Sequence, residues 1–197
     1  MKEIIVSLVF AAALMTACNN IQSTASKPAS HNMHDMPQTD SANMSKSSAS
    51  ETNAVSIKAI ISSYLTMKNA LSEDNSTAAA QTGEILKTTF KNFNKSKLTI
   101  DQKKIFEDVE TDAIENAEHI AENGNNIAHQ REHFEILSKD IYDLVRALGP
   151  GQVLYKCYDS MFNNGKGAFW LNETKEIKNP YMGKAMLTSG SIQEEIK

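Results

Sequence analysis

The sequence predicts an all-α protein: an up-down four-helix bundle with a C-terminal segment, carrying Trp170 and Asn179-Pro180-Tyr181, folded back onto it. Three observations predict it. Four segments repeat apolar residues at helical period, the connections between them are short and polar, and Gly149-Pro150-Gly151 stops the last one hard. Short connections between comparable helices make neighbours antiparallel.

The first helix is marked by Val55, Ile57, Ile60, Ile61, Tyr64, Leu65 and Leu71, and the polar run 72–76 ends it. Ala78, Ala79, Thr82, Ile85, Leu86, Thr89, Phe90 and Phe93 mark the second. Thr99 followed by Gln102 is a capping-box pattern, in which hydroxyl and amide each satisfy an orphan N–H at a helix start. The third helix then runs through Ile105, Phe106, Val109, Ala113, Ala117 and Ile120, with Gly124 expected at positive φ just past its end. Ile127, Phe134, Leu137, Ser138, Ile141, Leu144, Val145 and Leu148 mark the fourth. Beyond it only residues 168–171 alternate like a strand. Phe169, Trp170 and Leu171 need burial, so this segment is expected to lie against the bundle.

Ahead of the helices the chain reads as an anchor and a tether. Residues 4–15 form a mostly apolar stretch of signal-peptide length, too short to span a bilayer, so residues 1–17 are expected to be a signal peptide. Met15-Thr16-Ala17-Cys18 resembles a bacterial lipobox, which implies acylation of Cys18. Lys2 supplies the n-region charge, although Glu3 cancels it. Residues 18–53 are rich in Ser, Ala, Asn and Thr, too poor in aliphatic side chains to offset the entropy of ordering. A coil of about 35 residues reaches roughly 30–35 Å. The helical domain is expected over 54–197.

Composition excludes some functions. The net charge is −4 and the pI about 5.7, which gives no basic footprint for nucleic acid. The two cysteines cannot make a disulfide framework if Cys18 is lipidated. The motifs of nucleophilic hydrolases, zinc proteases and phosphate-cradling loops are missing from the sequence, so no enzyme is expected.

The last forty-odd residues concentrate Gly, Pro, aromatics and sulfur. Gly167-Ala168-Phe169-Trp170-Leu171, followed by Asn179-Pro180-Tyr181, Gly183 and Met186, resembles domain-of-unknown-function family 3347. The resemblance implies a helical domain of bacterial envelope proteins, one sometimes fused to the periplasmic adaptor of copper/silver efflux pumps. The family typically carries Cys-Pro-Met before its first block and Cys-Gly after its second. Here Asp159-Ser160-Met161 and Ser189-Gly190 stand instead: both methionines are kept and both cysteines are replaced. The run Gln130-Arg131-Glu132-His133-Phe134 also resembles the family, which implies that Arg131 pairs with a carboxylate or with backbone of the C-terminal segment.

Three sets of residues are candidate ligands for a metal ion. His31, Met33, His34 and Met36 put thioether and imidazole close together on the tether, the donors copper(I) and silver prefer. In so biased a tail they are equally read as an accident of composition. Cys157, Met161 and Met186 bring a thiol and two thioethers from the C-terminal segment, though Met also plugs irregular gaps in cores and Cys157 serves as well as a small core filler. His119, His129 and His133 flank the last helical hairpin, with His129 and His133 spaced to share a helix face. Their phase sets them off the core stripes, where histidines are ordinarily solvated.

The sequence therefore supports two functions of different kinds. One is a lipid-anchored protein on the periplasmic side of the envelope that binds or buffers copper or silver, linked to heavy-metal efflux. The other is a metal-free module that docks on an efflux adaptor or another envelope partner through Trp170 and Tyr181. Both make the membrane a partner through Cys18. Cell fractionation checks this: Cys18→Ser should move the protein out of the membrane fraction, and a variant that fractionates like the parent rules out the lipobox.

Overall fold

The computed structural model describes residues 49–197. The expected signal segment, Cys18, and the tether cluster of His31, Met33, His34 and Met36 lie outside the described residues. Four long helices follow one another: α1 (Ala49–Ser72), α2 (Ser76–Lys91), α3 (Ile100–Glu122) and α4 (Ile127–Leu148). α1 begins ahead of the boundary expected at 54, so the end of the expected tether is helical.

Each helix after the first starts where the sequence supplies a cap. The Asn75 side chain accepts from Ala78 N–H to start α2, and Asn126 accepts from His129 N–H to start α4. Thr99 and Gln102 complete the reciprocal capping box of α3. Gly124 differs from expectation: it is not among the positive-φ residues, and Asn123 caps α3 at φ −107°. A side chain there would crowd Ala80 instead.

Each helix packs on the next, and α1 closes on α4. The apolar stripes meet in one core, from Ile57, Ile60, Ile61 and Leu71 through Leu86 and Phe90 to Phe106, Ile120, Phe134 and Leu137. Tyr64 stacks on Phe134 with ring centroids 5.0 Å apart, and Phe93 on Phe106 at 4.2 Å.

The all-α expectation is corrected beyond residue 150. The protein is mostly helical, but the C-terminal segment forms a small antiparallel sheet of β1 (Leu154–Asp159), β2 (Ala168–Asn172) and β3 (Ser191–Ile196), in the order β2-β1-β3. β2 covers the one stretch whose sequence alternates. β1 and β3 escaped notice for a physical reason: their register shifts between Lys156 and Cys157, and that irregularity breaks the period-two pattern. β3 keeps most of its side chains in solvent and has almost no apolar face to read.

Buried polar groups tie the sheet to the helices. The Tyr64 hydroxyl accepts from Leu171 N–H at 3.0 Å and lies 2.8 Å from Ser138 Oγ, which itself donates to Phe134 O. Lys68, fully buried on α1, donates to Asn172 Oδ1 at 2.7 Å and Glu173 at 2.8 Å. Burial lowers its pKa, and the Glu173 carboxylate opposes that shift. The loop after β2 is held by Asn179, which donates to Asp159 Oδ2 at 2.7 Å and accepts from the Tyr181 and Met182 amides.

Trp170 and Tyr181 do not form the expected docking surface. Trp170 is 0% exposed and Tyr181 3%. Their rings meet edge-on at 5.9 Å, and Tyr181 donates its hydroxyl to Phe169 O at 2.6 Å. Aromatic area of this size is buried wherever a scaffold can cover it, and α4 covers it here. Trp170→Ala should therefore lower unfolding free energy by about 3–5 kcal/mol in a denaturant melt. A change of a few tenths would mean the ring is not in the core.

Candidate metal centre

The tip of the α3–α4 hairpin is built by its asparagines. Asn123 Nδ2 donates to His119 O at 2.8 Å, Asn126 N–H donates to Asn123 O at 3.0 Å, and Asn126 Oδ1 accepts from His129 N–H at 3.2 Å. The turn thus fixes the backbone at His119, in the last turn of α3, and at His129, in the first turn of α4. Gln130, fully buried, donates to Ser76 O at 3.0 Å and Ile120 O at 2.9 Å, locking this end of α4 to α2 and α3.

Three imidazoles converge on that frame. One ligand atom from each of His119, His129 and His133 lies within 4.8 Å of the others. The His119 and His133 rings lie nearly parallel with centroids 4.3 Å apart, and His129 approaches His133 edge-on at 4.5 Å. His133 Nε2 is 3.2 Å from His129 Nε2. The rings are half-buried, not solvated as their helical phase implied, because each leans into the seam between α3 and α4. Behind them, Asn116 Oδ1 is 2.9 Å from His133 Nδ1, Glu132 Oε2 is 3.3 Å from His129 Nδ1, and Glu115 Oε1 is 3.8 Å from His119 Nε2. Burial pushes the pKa of His133 down, and the two neighbouring imidazoles push it further. A neutral ring is the form that ligates a metal.

The sulfur ligands fare differently. Cys157 lies in the sheet's core opposite Trp170, and burial pushes its thiol up to about 11. Sealed from solvent opposite Trp170, Cys157 sits as the small core filler that the sequence also allowed. Met161 and Met186 are 45% and 42% exposed, on the surface and not beside Cys157 in the core.

Sequence reasoning missed Asn116 and Gln130, although both left a signal. Asn116 interrupts the apolar stripe of Val109, Ala113, Ala117 and Ile120, and Gln130 precedes Phe134 by one turn on the stripe of α4. A polar residue inside an apolar stripe must have a partner, and these two hold the centre together. Arg131 does pair as the resemblance implied. Its Nε donates to Pro180 O at 2.7 Å, and its Nη2 donates to Leu71 O at 2.9 Å and Asp74 Oδ1 at 2.7 Å. Gly183 fits beneath at φ +58°, where a side chain would collide with Asp74 and Arg131.

Residues 60–152 match the family described as protein of unknown function (DUF3347). This region belongs to that family. The DUF3347 match takes in His119, His129, His133 and Arg131, and it ends before β1, so the Trp170 and Tyr181 blocks lie outside the matched residues. No curated protein and no solved structure matches the chain.

The same DUF3347 seam carries one strained acid. Asp140, two turns after His133 on α4, has a buried Oδ2 with no hydrogen-bond partner. Burial pushes its carboxyl up to about 7, and Asp112 and Asp143 add to the shift. An aspartate titrates near 3.8 in the unfolded chain, so the folded form binds the extra proton between those values. Stability must then fall as pH rises from about 4 through 7. Asp140→Asn removes the group that ionises. Thermal melts should show the variant gaining on the parent by on the order of 1 kcal/mol at pH 8, after solvent screening of a half-buried group, and showing no gain at pH 4.

Proposed function

We propose that this is a lipid-anchored envelope protein that binds and buffers a metal ion of the copper class, in association with heavy-metal efflux. The observation that carries the reading is the convergence of His119, His129 and His133 within 4.8 Å at one end of the hairpin. Imidazole is a ligand for copper, zinc and nickel, and its affinity for divalent copper leads the first-row series. A centre fixed by the Asn123–Asn126 turn and by Gln130 is preorganised, so binding spends little on ordering the protein.

The sequence adds context. The lipobox-like Cys18 supports an anchor on the envelope surface, and His31, Met33, His34 and Met36 supply a second donor set for copper(I) or silver. The family resemblance to domains fused with copper/silver efflux adaptors supports a role beside such a system. Docking through Trp170 and Tyr181 loses its basis, because neither ring reaches solvent.

The test loads the full chain in detergent with copper, removes the excess and measures bound metal per chain. The parent should retain copper. Replacing His119, His129 and His133 together by Ala should remove one share, and replacing His31, Met33, His34 and Met36 should remove another. If the parent retains no copper, the metal reading falls and a metal-free interaction module is left standing.

A further inference from the structure

The hydrogen bonds behind the rings decide which nitrogens are available, and that bears on which ion fits. This step rests on the metal-binding reading above and names the ion class and a residue that sets it. Asn116 Nδ2 donates to Asp112 O at 2.7 Å, and a carbonyl can only accept. The amide orientation is therefore fixed, and its Oδ1 faces His133 Nδ1 at 2.9 Å. His133 must carry its hydrogen on Nδ1, leaving Nε2 as a bare lone pair. His129 follows the same logic: Nδ1 lies 3.3 Å from the Glu132 carboxylate, which also only accepts. With its hydrogen on Nδ1 the His129 Nε2 is bare, and with its hydrogen on Nε2 it donates to the lone pair of His133.

The two Nε2 atoms thus face each other at 3.2 Å, a hydrogen-bonding distance at which a metal ion can take the place of the shared hydrogen. The separation also has a geometric meaning. With metal–nitrogen bonds of about 2.0–2.1 Å, a tetrahedral angle separates two ligand nitrogens by roughly 3.3–3.4 Å, whereas a linear pair stands about 4.0–4.2 Å apart. The observed spacing fits the bent arrangement and is too short for the linear one that a two-coordinate monovalent ion takes.

We propose that the centre takes a divalent first-row ion of the zinc or copper(II) kind, seated between His129 Nε2 and His133 Nε2, with Asn116 as the residue that positions His133. His119 is the third ligand and is recruited last. Its ring now lies flat against His133 and must swing off that stack to point a nitrogen at the ion. Its side chain is 42% exposed, which leaves room for the swing. The remaining coordination position is open to water.

The experiment uses the full chain with His31, Met33, His34 and Met36 changed to Ala, so that the tether contributes nothing. Cobalt(II) is the probe, since tetrahedral-type coordination gives strong visible bands, and zinc and silver are the competitors. One equivalent of cobalt should bind with strong bands, zinc should displace it, and silver at equal concentration should not. His129→Ala or His133→Ala should abolish the bands, and His119→Ala should weaken binding less. Asn116→Leu should cost about 10–100-fold in affinity, and Asn116→Asp, which keeps an acceptor for Nδ1–H but loses the donor to Asp112 O, should recover affinity to within a few-fold of the parent while lowering the melting temperature. If silver binds at the histidines and displaces cobalt, the ion class proposed here is wrong while the metal reading survives. If neither cobalt, zinc nor silver binds in a histidine-dependent way, the histidine centre fails, and the metal reading is left with the tether alone. Equal affinity in Asn116→Leu and parent would remove Asn116 from its positioning role.

Discussion

The Arg131 guanidinium holds together three pieces of the molecule that nothing else joins so directly. It donates to the end of α1 at Leu71 O, to Asp74 in the turn that follows, and to Pro180 O in the C-terminal segment. Asp74 returns the favour by accepting from Lys184 N–H at 3.0 Å, and Arg131 also holds the Asp74 carboxyl below its usual range. Two charged side chains and a glycine therefore close the sheet segment over the helices. An arginine suits this work because its planar fork donates in several directions at once, which a lysine cannot do.

The same stretch of α4 faces two ways. Residues two apart on a helix point to different sides, so Arg131 turns to the C-terminal segment while His129 and His133 turn to α3. Fixing Arg131 fixes the first turns of α4 in rotation and height, and with them the two imidazoles. Gln130 does the same from inside, through its bonds to α2 and α3. The histidine cluster is thus supported from outside itself: the segment after β2 braces the helix that carries two of the three imidazoles.

A polar line runs along the α3–α4 seam, from the histidines through Asn116 to Asp112 and Asp140. In a helical pair whose stripes are otherwise apolar, each such group is destabilising unless it is hydrogen-bonded or serves a purpose. Asn116 is satisfied on both sides, by Asp112 O and by His133. Asp140 is not, and its raised pKa is the physical sign of that conflict. Asp140, two turns from His133, shares the seam with the centre but takes no part in holding the rings.

What the sequence by itself determined is local. Helical period, the Thr99–Gln102 capping box and the stop at Gly149-Pro150-Gly151 are properties of neighbouring residues, and they located the four helices and the end of the last one. That Arg131 pairs with a carboxylate or with backbone of the C-terminal segment was implied by the family resemblance, and the structure supplies both, in Asp74 and Pro180. What only the tertiary structure decided depends on groups far apart in the chain. β1 and β3 exist because each supplies the other's hydrogen bonds, across a shifted register that erases their alternation. Trp170 and Tyr181 became core because α4 covers them, and no local pattern says which face of an aromatic block will be covered. Helical phase alone placed the histidines in solvent. A ring that leans across a seam can meet one from the facing helix, and only the packing of α3 on α4 brings His119 and His133 within 4.3 Å, across fourteen residues of chain.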